Sequence, residues 1–163
     1  GYTWAPRGQQ PVVKTCGKRR AYKVFGLIEY FSGRLFYHGQ TDKFNADSYR
    51  AFLRVILRKA KGRPIILIQD GARYHTCAAM QEFFAQHTDC LTVYDLPKYS
   101  PEFNPIEYLW RSIKRQATHL RYFPTFDGLI QKVNEKLRYF AQHPDLVLGV
   151  MGKYRQDKSP MAA

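Results

Sequence analysis

The chain is 163 residues long, 45% hydrophobic and 15% aromatic, with 26 Lys and Arg against 13 Asp and Glu and a formal net charge of +13. That length bounds one domain able to bury a sizeable core, and the composition excludes a disordered chain. No apolar run approaches the roughly 18–20 residues of a membrane span, and no signal-peptide pattern is visible.

Cys16, Cys77 and Cys90 are odd in number and lack a C-x-x-C spacing. They read as reduced thiols in a cytosolic protein rather than a disulfide framework or a zinc site. The positive charge is uneven. Residues 1–63 hold 14 Lys and Arg against 3 acids, residues 64–123 hold 6 against 6, and residues 124–163 hold 6 against 4. Such a division suits a polyanion held by one region and processed by another.

Residues 1–20 are turn-rich and basic, with Arg7, Lys18, Arg19 and Arg20. They read either as an arm facing nucleic acid or as a solvated basic loop. Ala21 to Phe31 has strand composition, Ser32-Gly33 suits a two-residue hairpin turn, and Arg34 to His38 returns as the partner strand. Glu29, the one acid of this hairpin, reads as a surface residue. Asn45 can cap a helix whose apolar stripe is Tyr49, Phe52, Leu53, Ile56, Leu57 and Ala60. Arg50, Arg54, Arg58, Lys59 and Lys61 occupy its other face, as an ordinary solvated surface or a phosphate track.

Gly62-Arg63-Pro64 ends that helix and leads into a strand over Pro64 to Gln69. Four consecutive apolar residues, Ile65 to Ile68, predict burial on both faces. Asp70 follows at the carboxyl end of this strand, where ligands gather in such sheets, and Gly71 keeps the backbone open beside it. A plain turn acid is the alternative. Tyr74 to His87 predicts a helix with Met80, Phe83, Phe84 and His87 inward. His75, near its start, is either structural or a metal ligand. Leu91 to Asp95 is another short strand, with Asp95 leading into a turn.

Pro97 and Pro101 keep Leu96 to Phe103 out of regular structure. Asn104 then sits where a helix N-cap is wanted and Pro105 fits the first helical position. Ile106, Leu109, Trp110, Ile113 and Ala117 repeat with helical period. Glu107 is three residues past Asn104, the place of a capping acid. It is equally the place of a metal-binding carboxylate at an element's end, as Asp70 is, and the pair reads as two corners of a divalent-metal site that works on DNA. Arg111 and Lys114 share its flank. Thr125 can cap a last helix carrying Leu129, Ile130, Val133, Leu137 and Phe140, which His143-Pro144 closes. Residues 149–163 read as a loose basic tail. Antiparallel strands followed by alternating strands and helices predict an α/β or α+β mixed sheet with helices on its faces.

Gln69-Asp70-Gly71-Ala72-Arg73-Tyr74-His75, followed by Tyr99-Ser100-Pro101-Glu102-Phe103-Asn104-Pro105-Ile106-Glu107-Tyr108-Leu109-Trp110, resembles the DDE-type transposases of the Tc/mariner superfamily, in their bacterial insertion-sequence branch. Trp4-Ala5-Pro6-Arg7-Gly8 and the strand with Phe25-Gly26 extend the likeness over most of the chain. The resemblance implies a ribonuclease H-like fold: a mixed five-stranded sheet with helices on both faces, here with its first strand missing or incomplete. It implies a catalytic core over residues 1–148, N-terminally truncated, and a tail over 149–163. Asp70 and Glu107, with 36 residues between them, would be the second and third catalytic acids and would ligate Mg2+ or Mn2+, two ions in the complete site. The family's first Asp lies just upstream of the segment that begins here at Trp4, so activity of this chain alone is expected to be weak or absent. Lys98, Arg111 and Lys114, with Arg7, Lys18, Arg19 and Arg20, would contact phosphates. The implied partners are transposon ends and target DNA, with a homodimer acting at the bacterial nucleoid. The implied activity is phosphodiester cleavage and strand transfer. The competing readings are a transposase-derived DNA-binding or interaction protein without catalysis, and a metal-dependent nuclease of the same fold.

Overall fold

The computed structural model of the chain describes residues 7–8, 20–97 and 100–157, with side chains as far as residue 152. Trp4 to Pro6, Lys18, Arg19, Lys98 and Tyr99 lie outside the described residues. The elements in order are β1 (Lys23–Ile28), β2 (Leu35–Gln40), α1 (Ala46–Ala60), β3 (Ile65–Gln69), α2 (Arg73–Thr76), α3 (Ala78–Ala85), β4 (Leu91–Asp95), α4 (Ile106–Ala117), α5 (Phe126–Gln142) and α6 (Pro144–Asp157). A single 3-10 turn, Pro101–Phe103, precedes α4.

Strands β1 and β2 pair antiparallel, from Lys23 opposite Gln40 to Ile28 opposite Leu35. Their side chains alternate between two cores, as the strand period requires. Phe25, with Leu27 and Phe36, packs among Tyr49, Phe52, Leu53 and Ile56 of α1 and Met80 and Phe83 of α3. Val24, Ile28, Leu35 and Tyr37 face the opposite way, onto Leu109 and Ile113 of α4, Leu137 and Phe140 of α5, and Val147 and Met151 of α6. The hairpin is thus the middle layer between two groups of helices. Gly26 is required there, because a Cβ would lie 2.4 Å from the Trp110 ring.

Strands β3 and β4 pair in parallel, with Ile65 opposite Leu91 and Gln69 opposite Asp95. The expected single five-stranded sheet is not formed among the described residues, which hold two separate two-stranded sheets. The reason is local: β1 and β3 both press side chains, Phe25 and Leu67, into the core under α1, but no main-chain ladder joins them. The expected burial of β3 on both faces is also corrected. Leu67 and Gln69 point into the core, whereas Ile66 and Ile68 stand 70% and 60% exposed on the other face.

Three boundaries differ from expectation. Strand β1 stops at Ile28, and the hairpin closes through a longer loop. Glu29 N–H donates to Arg34 O, Gly33 N–H donates back to Glu29 O, and Gly33 takes a φ of 73°. Glu29 is spent on this loop, accepting from the Ser32 hydroxyl at 2.5 Å. The helix expected from Tyr74 to His87 is broken at Cys77, whose extended backbone (ψ 161°) separates α2 from α3. The segment from Gly149, expected to be loose, is helical to Asp157 and buries Met151. The boundary drawn at 148/149 therefore runs through α6.

Candidate functional site

Asp70 sits one residue beyond β3, where the chain turns sharply into α2. Its carboxylate starts that turn by accepting the Ala72 N–H at 3.2 Å, a short-range bond typical of aspartate in turns. The α2 turn brings His75 back under the strand end. His75 Nδ1 lies 2.8 Å from Asp70 Oδ1 and 3.0 Å from the Asp70 carbonyl oxygen. Both oxygens only accept, so Nδ1 carries the hydrogen in this arrangement. The imidazole is buried, with Tyr49 and Tyr74 ring centroids 4.2 and 4.3 Å away. Asp70 itself keeps a 56% exposed side chain. One carboxylate oxygen is fastened and the group still opens to solvent.

The hydrogen bond from His75 holds the Asp70 carboxyl below the usual carboxylate range; partial burial opposes this, and the His75 charge and the Ala72 N–H add to it. Burial pushes the Tyr74 phenol up to about 12, with the Asp70 charge adding to the shift. Burial raises Tyr49 still further. Tyr49 donates to Gln69 Oε1 at 2.7 Å, and Gln69 Nε2 donates to Asp95 Oδ1 at 2.9 Å. A relay, buried at Tyr49 and Gln69 and open to solvent at Asp95, thus links α1, β3 and the end of β4 and ties the strand ends from which Asp70 projects.

Glu107 occupies the first turn of α4. Its approach is set by the 3-10 turn, after which the Asn104 carboxamide oxygen accepts the Ile106 N–H at 3.4 Å. The Asn104 N–H donates to Pro101 O rather than to Glu107, so the capping-box alternative for Glu107 is not formed. Glu107 instead heads an open groove of about 570 Å³ lined by Arg111, Lys114, Arg115, Thr118 and His119. Arg111, Lys114 and Arg115 follow Glu107 at helical spacing along one stripe of α4, which Thr118 and His119 continue just past its end. Arg111 also packs over the Tyr108 ring, 5.5 Å from its centroid.

Asp70 and Glu107 therefore stand at the ends of separate elements, Asp70 fastened by His75 and Glu107 at the head of the α4 groove. Among the described residues no group of three or more His, Cys, Asp or Glu side chains is arranged to hold a metal. Of the basic residues singled out from the sequence, Arg111 and Lys114 share the groove with Glu107. Arg20 is drawn against the Phe126 ring at the start of α5, 4.8 Å away, and Arg7 is exposed in a turn. Sequence reasoning missed Arg115, Thr118 and His119, although their spacing from Glu107 carried the signal. It also read Tyr49 as core only, and nothing in the sequence marked its hydroxyl as the partner of Gln69.

Residues 1–130 match the family model described as DDE superfamily endonuclease. The chain is 25% identical over 144 residues to the insertion element IS630 39 kDa protein of Shigella sonnei, covering 88% of this chain and 42% of that protein. It is 36% identical over 70 residues to the transposable element Tcb2 transposase of Caenorhabditis briggsae, covering 42% of this chain and 24% of that one. The chain thus spans less than half the length of these relatives. Among solved structures, it is similar to the Mos1 mariner paired-end complex with Mn, with a TM-score of 0.61 and 16% identity over 94% of this chain and 50% of that one. It is also similar to the catalytic domain of Mos1 mariner transposase, with a TM-score of 0.52 and 15% identity over 83% of this chain and 80% of that one. These likenesses give the fold as that of the ribonuclease H-like Mos1 catalytic domain, a mixed α/β arrangement. By the extent of the family match, this chain belongs to the DDE superfamily of endonucleases.

Proposed function

We propose that the chain is the greater part of the catalytic core of a bacterial DNA transposase, which cuts DNA at element ends and joins it to a target. The observation that carries this reading is the placement of Asp70 and Glu107, the acids of the two matching motifs, at the exit of a parallel strand and the first turn of a helix. Both are oxygen donors on side chains open to solvent, the donor type that Mg2+ and Mn2+ take. Asp70 and Glu107 would hold the ions, and a third acid, from a strand upstream of Trp4 inserted between β1 and β3, would complete the set and join the two small sheets into one of five strands. Two bound ions would supply an activated oxygen nucleophile and stabilise the leaving oxygen of an in-line phosphodiester displacement.

The chain's own residues have definite tasks in that reaction. His75 orients the Asp70 carboxylate and keeps it ionised, through the Nδ1 bond. The Tyr49–Gln69–Asp95 relay keeps the strand ends from shifting. Arg111 and Lys114, on the flank of Glu107, would neutralise the phosphates beside the scissile bond. Transposon ends and target DNA would be the partners, and a homodimer in the bacterial cytoplasm at the nucleoid the working form. No helix among the described residues is long and apolar enough to cross a membrane.

A supercoiled-plasmid nicking assay in Mg2+ or Mn2+ tests the reading. Weak, metal-dependent nicking is expected, falling to background in Asp70→Asn and in Glu107→Gln while the far-ultraviolet circular dichroism is unchanged. Cleavage that survives both substitutions together would remove these acids from the site. A DNA-binding protein without cleavage is the second reading. It is favoured by the cationic groove on α4, which needs no metal to hold a strand, and DNA binding with no nicking under any metal would select it. Preference for one element's ends would separate a transposase from a general nuclease.

A further inference from the structure

The α4 groove does not end on the helix. After Ala117 the chain makes a tight turn, Thr118 to Arg121, closed by the Arg121 N–H donating to Thr118 O at 3.2 Å. Leu120 is the third residue of that turn and takes a φ of 54°. A turn with positive φ there calls for glycine or asparagine, and a leucine pays a steric penalty. Leu120 recovers nothing by packing, since it is 87% exposed. Tyr122, two residues on, is also exposed. Strain and exposure thus coincide in one apolar side chain, at the end of a stripe in which Arg111, Lys114, Arg115 and His119 converge. Strain kept at an exposed position is a reason to look for a ligand. Among the described residues, the one acid lining the groove, Glu107, lies at the opposite end.

We propose that one DNA strand lies along α4, its phosphates on Arg111, Lys114 and Arg115, and that Leu120 is an apolar wedge set against a base step where the strand leaves the groove. This rests on the reading that the partner is DNA and adds to it a path and a distorting contact. The chemistry is that of nucleic-acid binders which place cations along the backbone and push an apolar side chain between bases. It assigns Leu120, Arg115 and the α4 C-terminal turn a role beyond the metal-binding acids.

The test uses the 163-residue chain and a DNA duplex carrying 2-aminopurine, read by fluorescence anisotropy for affinity and by 2-aminopurine emission for unstacking. Leu120→Asn suits the turn and removes the wedge. It is expected to raise Tm by about 2–4 °C, to weaken binding roughly tenfold and to abolish the rise in 2-aminopurine emission. Lys114→Ala with Arg115→Ala is expected to lower the slope of log affinity against log salt by roughly two. The proposal is overturned if wild-type protein binds the duplex and Leu120→Asn leaves both affinity and emission unchanged; the DNA reading then survives and the wedge does not. It is overturned equally if the double substitution leaves the salt slope unchanged. If wild-type protein does not bind DNA at low salt, the reading beneath it fails as well.

Discussion

Gln69 is polar, almost fully buried, and faces a core of Phe25, Phe52 and Leu67. It is tolerated there because both ends of its carboxamide are used, the oxygen by Tyr49 and the nitrogen by Asp95. Replacing Tyr49 with Phe keeps the ring but strips Gln69 Oε1 of its donor, and the orphaned acceptor should cost about 1–3 kcal/mol. Urea unfolding of Tyr49→Phe with an unchanged m-value measures this, and a loss below about 0.5 kcal/mol would mean that the hydroxyl bond contributes little. At this scale the sequence was informative about position and silent about partners. Asp70 and Glu107 were recognisable because strand composition and prolines mark the element ends on which they sit. The bond from His75 to Asp70 was not, because a separation of five residues does not say whether the chain doubles back. It does so because α2 is a single tight turn.

Helix α4 is positioned by its contact with the hairpin, and that contact is intimate. Gly26 leaves room for the Trp110 ring, and Ile106 Cδ1 lies 2.9 Å from where a Cβ would be. Gly26→Ala therefore overpacks this seam and should destabilise by about 1–3 kcal/mol. Because the tryptophan supplies the nearest atoms, Trp110→Leu in the same chain should recover part of that loss. A thermal-melt double-mutant cycle showing strict additivity would deny the coupling. Elements with a strong apolar period, α1, α4 and α5, could be read from sequence. So could the caps Asn45, which accepts the Ser48 N–H at 2.8 Å, and Thr125, which accepts the Gly128 N–H at 3.1 Å. Helix α6 escaped because Gly149 and Gly152 weaken its pattern and His143-Pro144 was taken as a stop. A proline stops one helix and equally suits the first position of the next, and here it does both. The break at Cys77 carried no glycine or proline to announce it.

Across the whole molecule, two helix groups sandwich the hairpin, while β3 and β4 are covered on one face only. Ile66 and Ile68, with the exposed Tyr94 of the neighbouring strand, form an apolar surface. Exposed contiguous apolar surface promotes association. Ile66→Thr with Ile68→Thr should shift sedimentation toward monomer while moving Tm only slightly, since β-propensity is retained and no core contact is lost. An unchanged distribution of species would show that this face does not drive association. The four-residue apolar run promised cover on both sides, and sequence could not show that the layer formed by α4, α5 and α6 covers the hairpin but leaves β3 open. The expectation of one continuous sheet failed for a separate reason: β1 and β3 share a core without a main-chain ladder between them, and no side-chain period encodes which strands are main-chain neighbours.

Each of the two small sheets ends in strands with a single partner. Free edges set a valence. A body with one accepting edge stops at a pair, whereas a body with two can add units without limit. Strand β3, unpaired on the side away from β4 among the described residues, is such an acceptor. An extended segment, from this chain or another, that presented its main-chain donors and acceptors to that edge would add a strand there.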